Sequence, residues 1–268
     1  MNGELISEET SQRHRWTWKK AHSWIRVGFI CWAIFSTAWL ANSVRTKGVH
    51  DWQLSSDNKC EFTDNGQCIT LRPRGNSKNV EILFFCGSGV AAEAYVPLLR
   101  PLTEDGLSIH IVRLPWRFAP LESHKEEAIQ SALTIIAAKP KPTRWIVAGH
   151  SLGAALACRL VQRSPENVTG AILIATTHPK AIDLSRHSLS FMKINGGRDG
   201  VAPIETSTDN AHLLPPATIW VTIDGANHSQ FAHYGPQLFD GTPTIGREQQ
   251  QEQTRHAIRI FLQPETSL

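Results

Sequence analysis

The feature that most constrains this chain is a strand, a serine and a helix run together without a linker. Trp145-Ile146-Val147-Ala148 is a continuous apolar run, Gly149-His150-Ser151-Leu152-Gly153 follows at once, and Leu152 to Arg163 (LGAALACRLVQR) continues with helical spacing. A short, fully apolar strand is the signature of one buried on both faces of a parallel sheet. A chain that passes from such a strand directly into a helix must turn sharply. Glycines two residues before and after the serine remove side chains that would block that turn, and the hydroxyl is left exposed at the helix N-terminus. Ser151 is therefore the candidate nucleophile.

The remainder of the chain alternates in the same way. Cys68 to Arg74 reads as an edge strand, and Val80 to Cys86, Leu107 to Leu114, Val168 to Ala175, Ser190 to Asn195 and Thr218 to Ile223 read as further strands. Ala91 to Leu102, Glu122 to Ala138 and Arg247 to Leu262 carry helical spacing between or after them. Strands alternating with helices imply right-handed crossovers and a mostly parallel sheet with helices on both faces. Sites in such folds gather at the carboxyl ends of the strands.

A serine hydroxyl needs a base, and the base needs an orienting carboxylate. Asp199 stands in NGGRDGVA just after one expected strand, and His228 stands in DGANHSQF just after the next. The order Ser151, Asp199, His228 suits this fold, with each residue at a strand's carboxyl end. Asp224 and Asp240 compete for the role of acid, and His150, His178 and His233 for that of base. A tetrahedral intermediate would also need two N–H donors for its oxyanion. Leu152, directly after the nucleophile, supplies one by position; Ser88, in the Gly87-Ser88-Gly89 loop, is the preferred second, with Gly87 as the alternative. Arg117, His178, Phe231 and Tyr234 are candidate pocket residues, and Phe239 joins them as a possible wall. This chemistry requires no metal and no organic cofactor.

Composition narrows the class further. The 268 residues suit one full catalytic domain with an appendage, and 41% hydrophobic with 19% charged residues is ordinary for a globular protein. Much of the net charge of +3 comes from the first fifty residues, where Arg13, Arg15, Lys19, Lys20, Arg26, Arg45 and Lys47 flank an apolar run. A nucleic-acid face is not expected, because the basic excess does not persist into the domain.

The run itself, VGFICWAIFSTAWL from Val27 to Leu40, extends uncharged to Val44 and carries Trp32 and Trp39, with Trp24 before it. It reads as a single membrane-spanning helix with the domain across the membrane, since basic residues precede it. A cleaved signal peptide is the rival, with Ser36-Thr37-Ala38 as its cleavage site, although Trp39 and Leu40 continue the run past that point. The organisation expected is a basic segment at 1–24, a membrane anchor at 25–44, a linker at 45–67 and a catalytic domain at 68–268. Among five cysteines only Cys60 and Cys68 lie close together in a polar stretch; they pair if the domain is exported, or remain free thiols beside a hairpin.

The stretches FFCGSGVAAEAYVPLL, VRLPW, WIVAGHSLGAALA, GGRDGVAP and DGANHSQFAHYGPQLFDGTPTIGREQQ together resemble the α/β-hydrolase superfamily, over nearly all of Val80 to Leu262. They look most like a bacterial subgroup of small, lidless members that often carry an N-terminal membrane segment. The resemblance implies an α/β-hydrolase fold with little or no cap, and Ser151, Asp199 and His228 as a triad that cleaves an ester or related acyl bond through an acyl-enzyme. It departs from the family pattern at Cys86, where many members have His or Pro, and at Ser88, where another Gly is common. Thioester or peptide hydrolysis, or a catalytically silent binding protein on the same fold, are the alternatives.

Overall fold

The computed structural model describes residues 2–138, 143–163 and 167–263, with side chains for Trp18 and from Lys20 onward; Arg13, Arg15 and Lys19 of the basic segment thus fall outside the described side chains. The chain divides into two units, Met1–Ser43 and Val44–Leu268. The first is one continuous helix, α1 (Asn2–Ser43). Its portion Lys20–Ser43 is 24 residues long and contains an 18-residue window with a mean hydropathy of 1.4. At about 1.5 Å per residue that portion exceeds the roughly 30 Å hydrocarbon core of a bilayer. Near an N-terminus the same description also fits a signal sequence.

The second unit is built in chain order from β1 (Cys60–Asp64), β2 (Cys68–Pro73), β3 (Val80–Phe85), the short α2 (Val96–Leu99), β4 (Ser108–Val112), α3 (Glu122–Ala137), β5 (Arg144–His150), α4 (Leu152–Gln162), β6 (Val168–Ile174), β7 (Ser190–Gly196), α5 (Ile204–Asp209), β8 (Ile219–Ile223) and α6 (Arg247–Leu262). The strands form one sheet in the order β1-β2-β4-β3-β5-β6-β7-β8. β1 pairs antiparallel with β2, and β2 antiparallel with β4; every other pairing is parallel.

The apolar runs in β3, β4, β5, β6 and β7 are interior strands. Burial of Ile82, Phe84, Phe85, Ile109, Ile111, Trp145, Val147, Ile172 and Phe191 drives their assembly. α4 packs over β3, β5 and β6, while α6 packs on β7, β8 and α2. The last of these helices has the bounds the spacing predicts.

Three expectations change. The stretch expected to be a linker carries β1, whose half-exposed residues gave only a weak alternation. The helix expected over Ala91 to Leu102 breaks into a 3₁₀ turn, the four-residue α2 and another 3₁₀ turn, because Pro97 and Pro101 each remove a backbone donor. Cys60 and Cys68 are free and buried rather than paired. Cys60 lies opposite Pro73, five residues along β2 from Cys68, which is roughly 17 Å of strand and far beyond disulfide reach.

The chain lays β4 on one side of β3 and then crosses to start β5 on the other. Where the winding direction reverses in this way, the loops after the two strands diverge and leave a crevice. Here those loops carry Gly87-Ser88-Gly89 and Ser151. Between β6 and β7, residues 175–189 form a loop without a helix, so no large cap covers this end. A cleft of about 480 Å³, lined by Lys78, Val80, Asp105, Arg144 and Arg259 among others, lies at the amino ends of β3 and β5 and is remote from these loops.

Candidate active site

Ser151 is the first residue beyond β5 and adopts φ 54°, ψ −118°. A non-glycine residue there is strained by about 1–3 kcal/mol, which the surrounding structure must hold in place. The two flanking glycines show how. A Cβ on Gly153 would stand 2.1 Å from the Phe85 carbonyl oxygen, and one on Gly149 would stand 2.3 Å from the Gly153 backbone. β3, the turn and the first turn of α4 thus touch backbone to backbone, and only glycine fits. The Ser151 N–H also donates to the Ile174 carbonyl at 2.9 Å, tying the turn to the end of β6.

Asp199 and His228 meet as expected. His228 Nδ1 lies 2.8 Å from Asp199 Oδ2, and both side chains are buried. The other carboxylate oxygen of Asp199 accepts the N–H groups of Val201 and Ala202 at 2.8 and 2.7 Å, which fixes its orientation. An Asp carboxylate is an acceptor only, so His228 Nδ1 carries the proton when the acid is ionised, and Nε2 is left as the basic nitrogen. That Nε2 is buried and has no hydrogen-bond partner among the described residues, Ser151 Oγ included. Such bonds are commonly long before substrate binds.

The competing groups find other work. Asp240 accepts three backbone N–H groups, from His228 at 3.0 Å, Ser229 at 2.8 Å and Gly241 at 2.8 Å, and so holds the histidine loop rather than the imidazole. Asp224 is exposed. The ring of His150 packs at 4.6 Å from that of His228 and accepts at Nδ1 from the Tyr95 hydroxyl at 2.9 Å. Burial, with His228 beside it, holds His150 well below the usual histidine range, so it stays neutral. His233 contacts the carbonyl of Lys47.

The loop expected to form an oxyanion hole needs one correction. The Gly87 N–H donates to the Tyr95 hydroxyl at 2.8 Å, so it is not a free donor. Ser88 and Leu152, by contrast, have N–H groups that donate to no described group. The chain Gly87 N–H, Tyr95 O–H, His150 Nδ1 ties the oxyanion loop to the residue preceding Ser151. Burial pushes the Tyr95 phenol well up, which keeps it a neutral donor.

Two expected pocket residues lie inside instead. Phe231 is fully buried, 5.8 Å from the His150 ring, and Tyr234 is buried with its hydroxyl donating to Gln237. Both sit on a loop that turns back under α6, where apolar rings gain more from burial than from facing water. Arg117 donates to the Val44 carbonyl at 2.7 Å and is therefore a strut. His178 is half-buried at the end of β6, where burial, with Lys180 and Lys193 nearby, pushes it down to about 4.

Gln250 went unread in the sequence: from α6 its side chain accepts the Asn227 N–H at 3.1 Å and donates to the Asn227 carbonyl at 2.8 Å. A polar side chain at a helical spacing that should face the core, in REQQQEQTRHAIRI, is the signal that would have found it.

Comparison with known proteins agrees with the fold. The model of a family described as the alpha/beta hydrolase family matches residues 81–252, well over half of the chain. Among solved structures, an alpha-beta serine hydrolase homologue from Coxiella burnetii is similar at TM-score 0.57 and 16% identity, over 78% of this chain and 99% of that one. A predicted CIB-like hydrolase from Thermoplasma acidophilum gives 0.56 and 17%, over 75% and 98%. Acyl-protein thioesterase 2 from Zea mays gives 0.55 and 14%, over 74% and 100%. No curated protein matches the chain.

Proposed function

Given that the chain belongs to the alpha/beta hydrolase family, and is on that ground a hydrolase, we propose that it is a serine hydrolase in which Ser151, His228 and Asp199 cleave an ester or related acyl bond. The observation that carries this reading is the buried Asp199–His228 pair, 2.8 Å apart, whose Nε2 is left free at the end of the sheet where Ser151 stands on its strained turn.

Ser151 attacks the acyl carbon while His228 Nε2 takes its proton. The oxyanion that forms is stabilised by the N–H groups of Leu152 and Ser88. His228 then passes the proton to the leaving group, and the acyl group remains on Ser151. Water repeats the sequence, with His228 again as base, and frees the acid. Asp199 holds the imidazole tautomer and stabilises its positive form without taking the proton. The maize thioesterase shares only the fold at its identity, so a thioester stays the second acyl class rather than the first.

We read Lys20–Ser43 as a membrane anchor rather than a cleaved signal, with the domain on the extracytoplasmic side. A reporter fused after Arg74 tests the side: activity confined to the cytoplasm contradicts it. The catalytic reading is tested with short-chain p-nitrophenyl esters and the full chain in detergent. Wild type turns over, while Ser151→Ala and His228→Ala lose turnover. Turnover that survives Ser151→Ala, or its absence from a folded wild-type protein, contradicts the reading.

A further inference from the structure

Large apolar side chains stand exposed on two loops of the second unit, one held against the Gly87–Gly89 loop and one beside the loop that carries His228. On the oxyanion side, Trp116 is 79% exposed, and Phe118 and Leu121 are exposed with it. This loop is held against the oxyanion loop: Gly89 N–H donates to the Arg117 carbonyl at 2.8 Å, and the Ser88 hydroxyl donates to the Phe118 carbonyl at 3.3 Å. On the histidine side, Phe239 is 82% exposed beside the exposed Leu238. Its neighbour Asp240 is the carboxylate that holds the His228 loop.

The two loops share a second property. Trp116, Arg117, Ala119 and Phe239 all have positive φ, between 44° and 66°. Positive φ in bulky residues is strain that ordinary surface loops avoid. Here it turns aromatic rings outward, where water gives them nothing in return.

The chain itself says what covers them. The helix read above as a membrane anchor ends at Ser43, and the next residue, Val44, is already fastened to this rim: its carbonyl accepts from Arg117, and its Cγ1 stands 3.2 Å from where a Cβ on Gly89 would be. The chain then runs across to the other side. Thr46 bridges to Tyr234, and Lys47 N–H donates to the His233 carbonyl at 2.9 Å. In sequence, the end of α1 at Ser43 is therefore one residue from a residue fastened to the rim. Arg45, Lys47 and Arg117 stand in or beside this strap, and cations of this kind are attracted to anionic lipid phosphates.

We propose that the rim formed by Trp116, Phe118, Leu121, Leu238 and Phe239 docks on the lipid surface of the bilayer that its own N-terminal helix spans, with the rings at the headgroup boundary. The candidate active site then opens toward the membrane, where an acyl lipid would reach Ser151 without crossing water. This rests on the anchor reading of Lys20–Ser43 given above.

The test uses the full chain at one copy per lipid nanodisc, with phosphatidylcholine brominated high on its acyl chains as a contact quencher. Wild type minus Trp116→Phe gives the emission of Trp116, and Phe239→Trp minus wild type gives that of a reporter on the second loop. Both signals should fall at least two-fold in brominated discs relative to unbrominated ones, in protein that floats with lipid at high salt. Signals equal in the two kinds of disc, from protein that does float, overturn the docking while leaving the anchor intact. Shielding that arises only in vesicles holding several copies, without bromine quenching, assigns the rim to a second copy and also overturns it. Failure to float removes the anchor reading and the docking together.

Discussion

The two halves of the proposed site, Ser151 as nucleophile and His228 as base, are built by opposite means. Ser151 rises from β5, the centre of the sheet, and is positioned by close packing: Gly149, Gly153 and the Phe85 carbonyl leave its turn no other place. His228 follows β8, an edge strand whose residues Ile219 and Trp220 are exposed, so packing cannot position it. Its loop is instead held by polar side chains, Asp199 at the imidazole, Asp240 at three backbone N–H groups and Gln250 at Asn227. A buried turn between apolar strands can be placed by shape. A loop at a sheet edge has to be placed by hydrogen bonds, each about 0.5–1.5 kcal/mol net but more costly to leave half made.

This contrast can be broken at its strongest points. Asp199→Asn keeps the shape but favours the wrong imidazole tautomer, and kcat for a short-chain ester should fall on the order of 10⁴-fold while the thermal midpoint moves little. Gly153→Ala should do the reverse. It drives a methyl into the Phe85 carbonyl, which displaces β3 from α4, and stability measured by urea unfolding should drop by about 3 kcal/mol, at the upper end of overpacking effects.

Tyr95→Phe asks whether the packed half also needs polar support. It strands the Gly87 N–H and His150 Nδ1 inside, so a loss of about 1–3 kcal/mol in urea unfolding is expected, with a lower kcat as the oxyanion loop loosens. An unchanged kcat would show that packing alone sets the loop.

Stability also depends on pH. His178 titrates at about 4 when folded against an ordinary 6.5. Between those values the unfolded chain binds a proton that the folded one refuses, so stability falls as pH falls from about 6.5 to about 4. His150, held down by burial, adds a slope of the same sign. Urea midpoints across this range should fall toward acid, and His178→Gln should reduce the slope without abolishing it.

The same division decides how much could be read from the sequence. The packed half is written in apolar runs and paired glycines, so the strands β3 to β7, the elbow at Ser151 and the bounds of α6 were all legible. Asp199 and His228 were legible through chain order and their place after strands, and the structure brings them together at 2.8 Å. What holds them was not. Gln250 acts from 22 residues beyond His228 through a backbone contact, and no local pattern marks Asp240 as the loop's anchor rather than the imidazole's partner. Tyr95 lay in a helix that the sequence ran too long, because the spacing ignored Pro97 and Pro101. Phe231 and Tyr234 looked like pocket walls because aromatic residues in a loop do not announce which way they face; both are buried.

The most direct measurement is peptide-level mass spectrometry of the full chain after a timed reaction with a fluorophosphonate, in wild type, His228→Ala, Asp199→Asn and Asp240→Asn. The account predicts one adduct, on the peptide that carries Ser151. It also predicts rates cut at least 100-fold in His228→Ala and Asp199→Asn, and a much smaller loss in Asp240→Asn, whose carboxamide still offers one acceptor oxygen to the loop. An adduct on another residue, no adduct in folded wild type, or an Asp240→Asn loss equal to that of Asp199→Asn would contradict it.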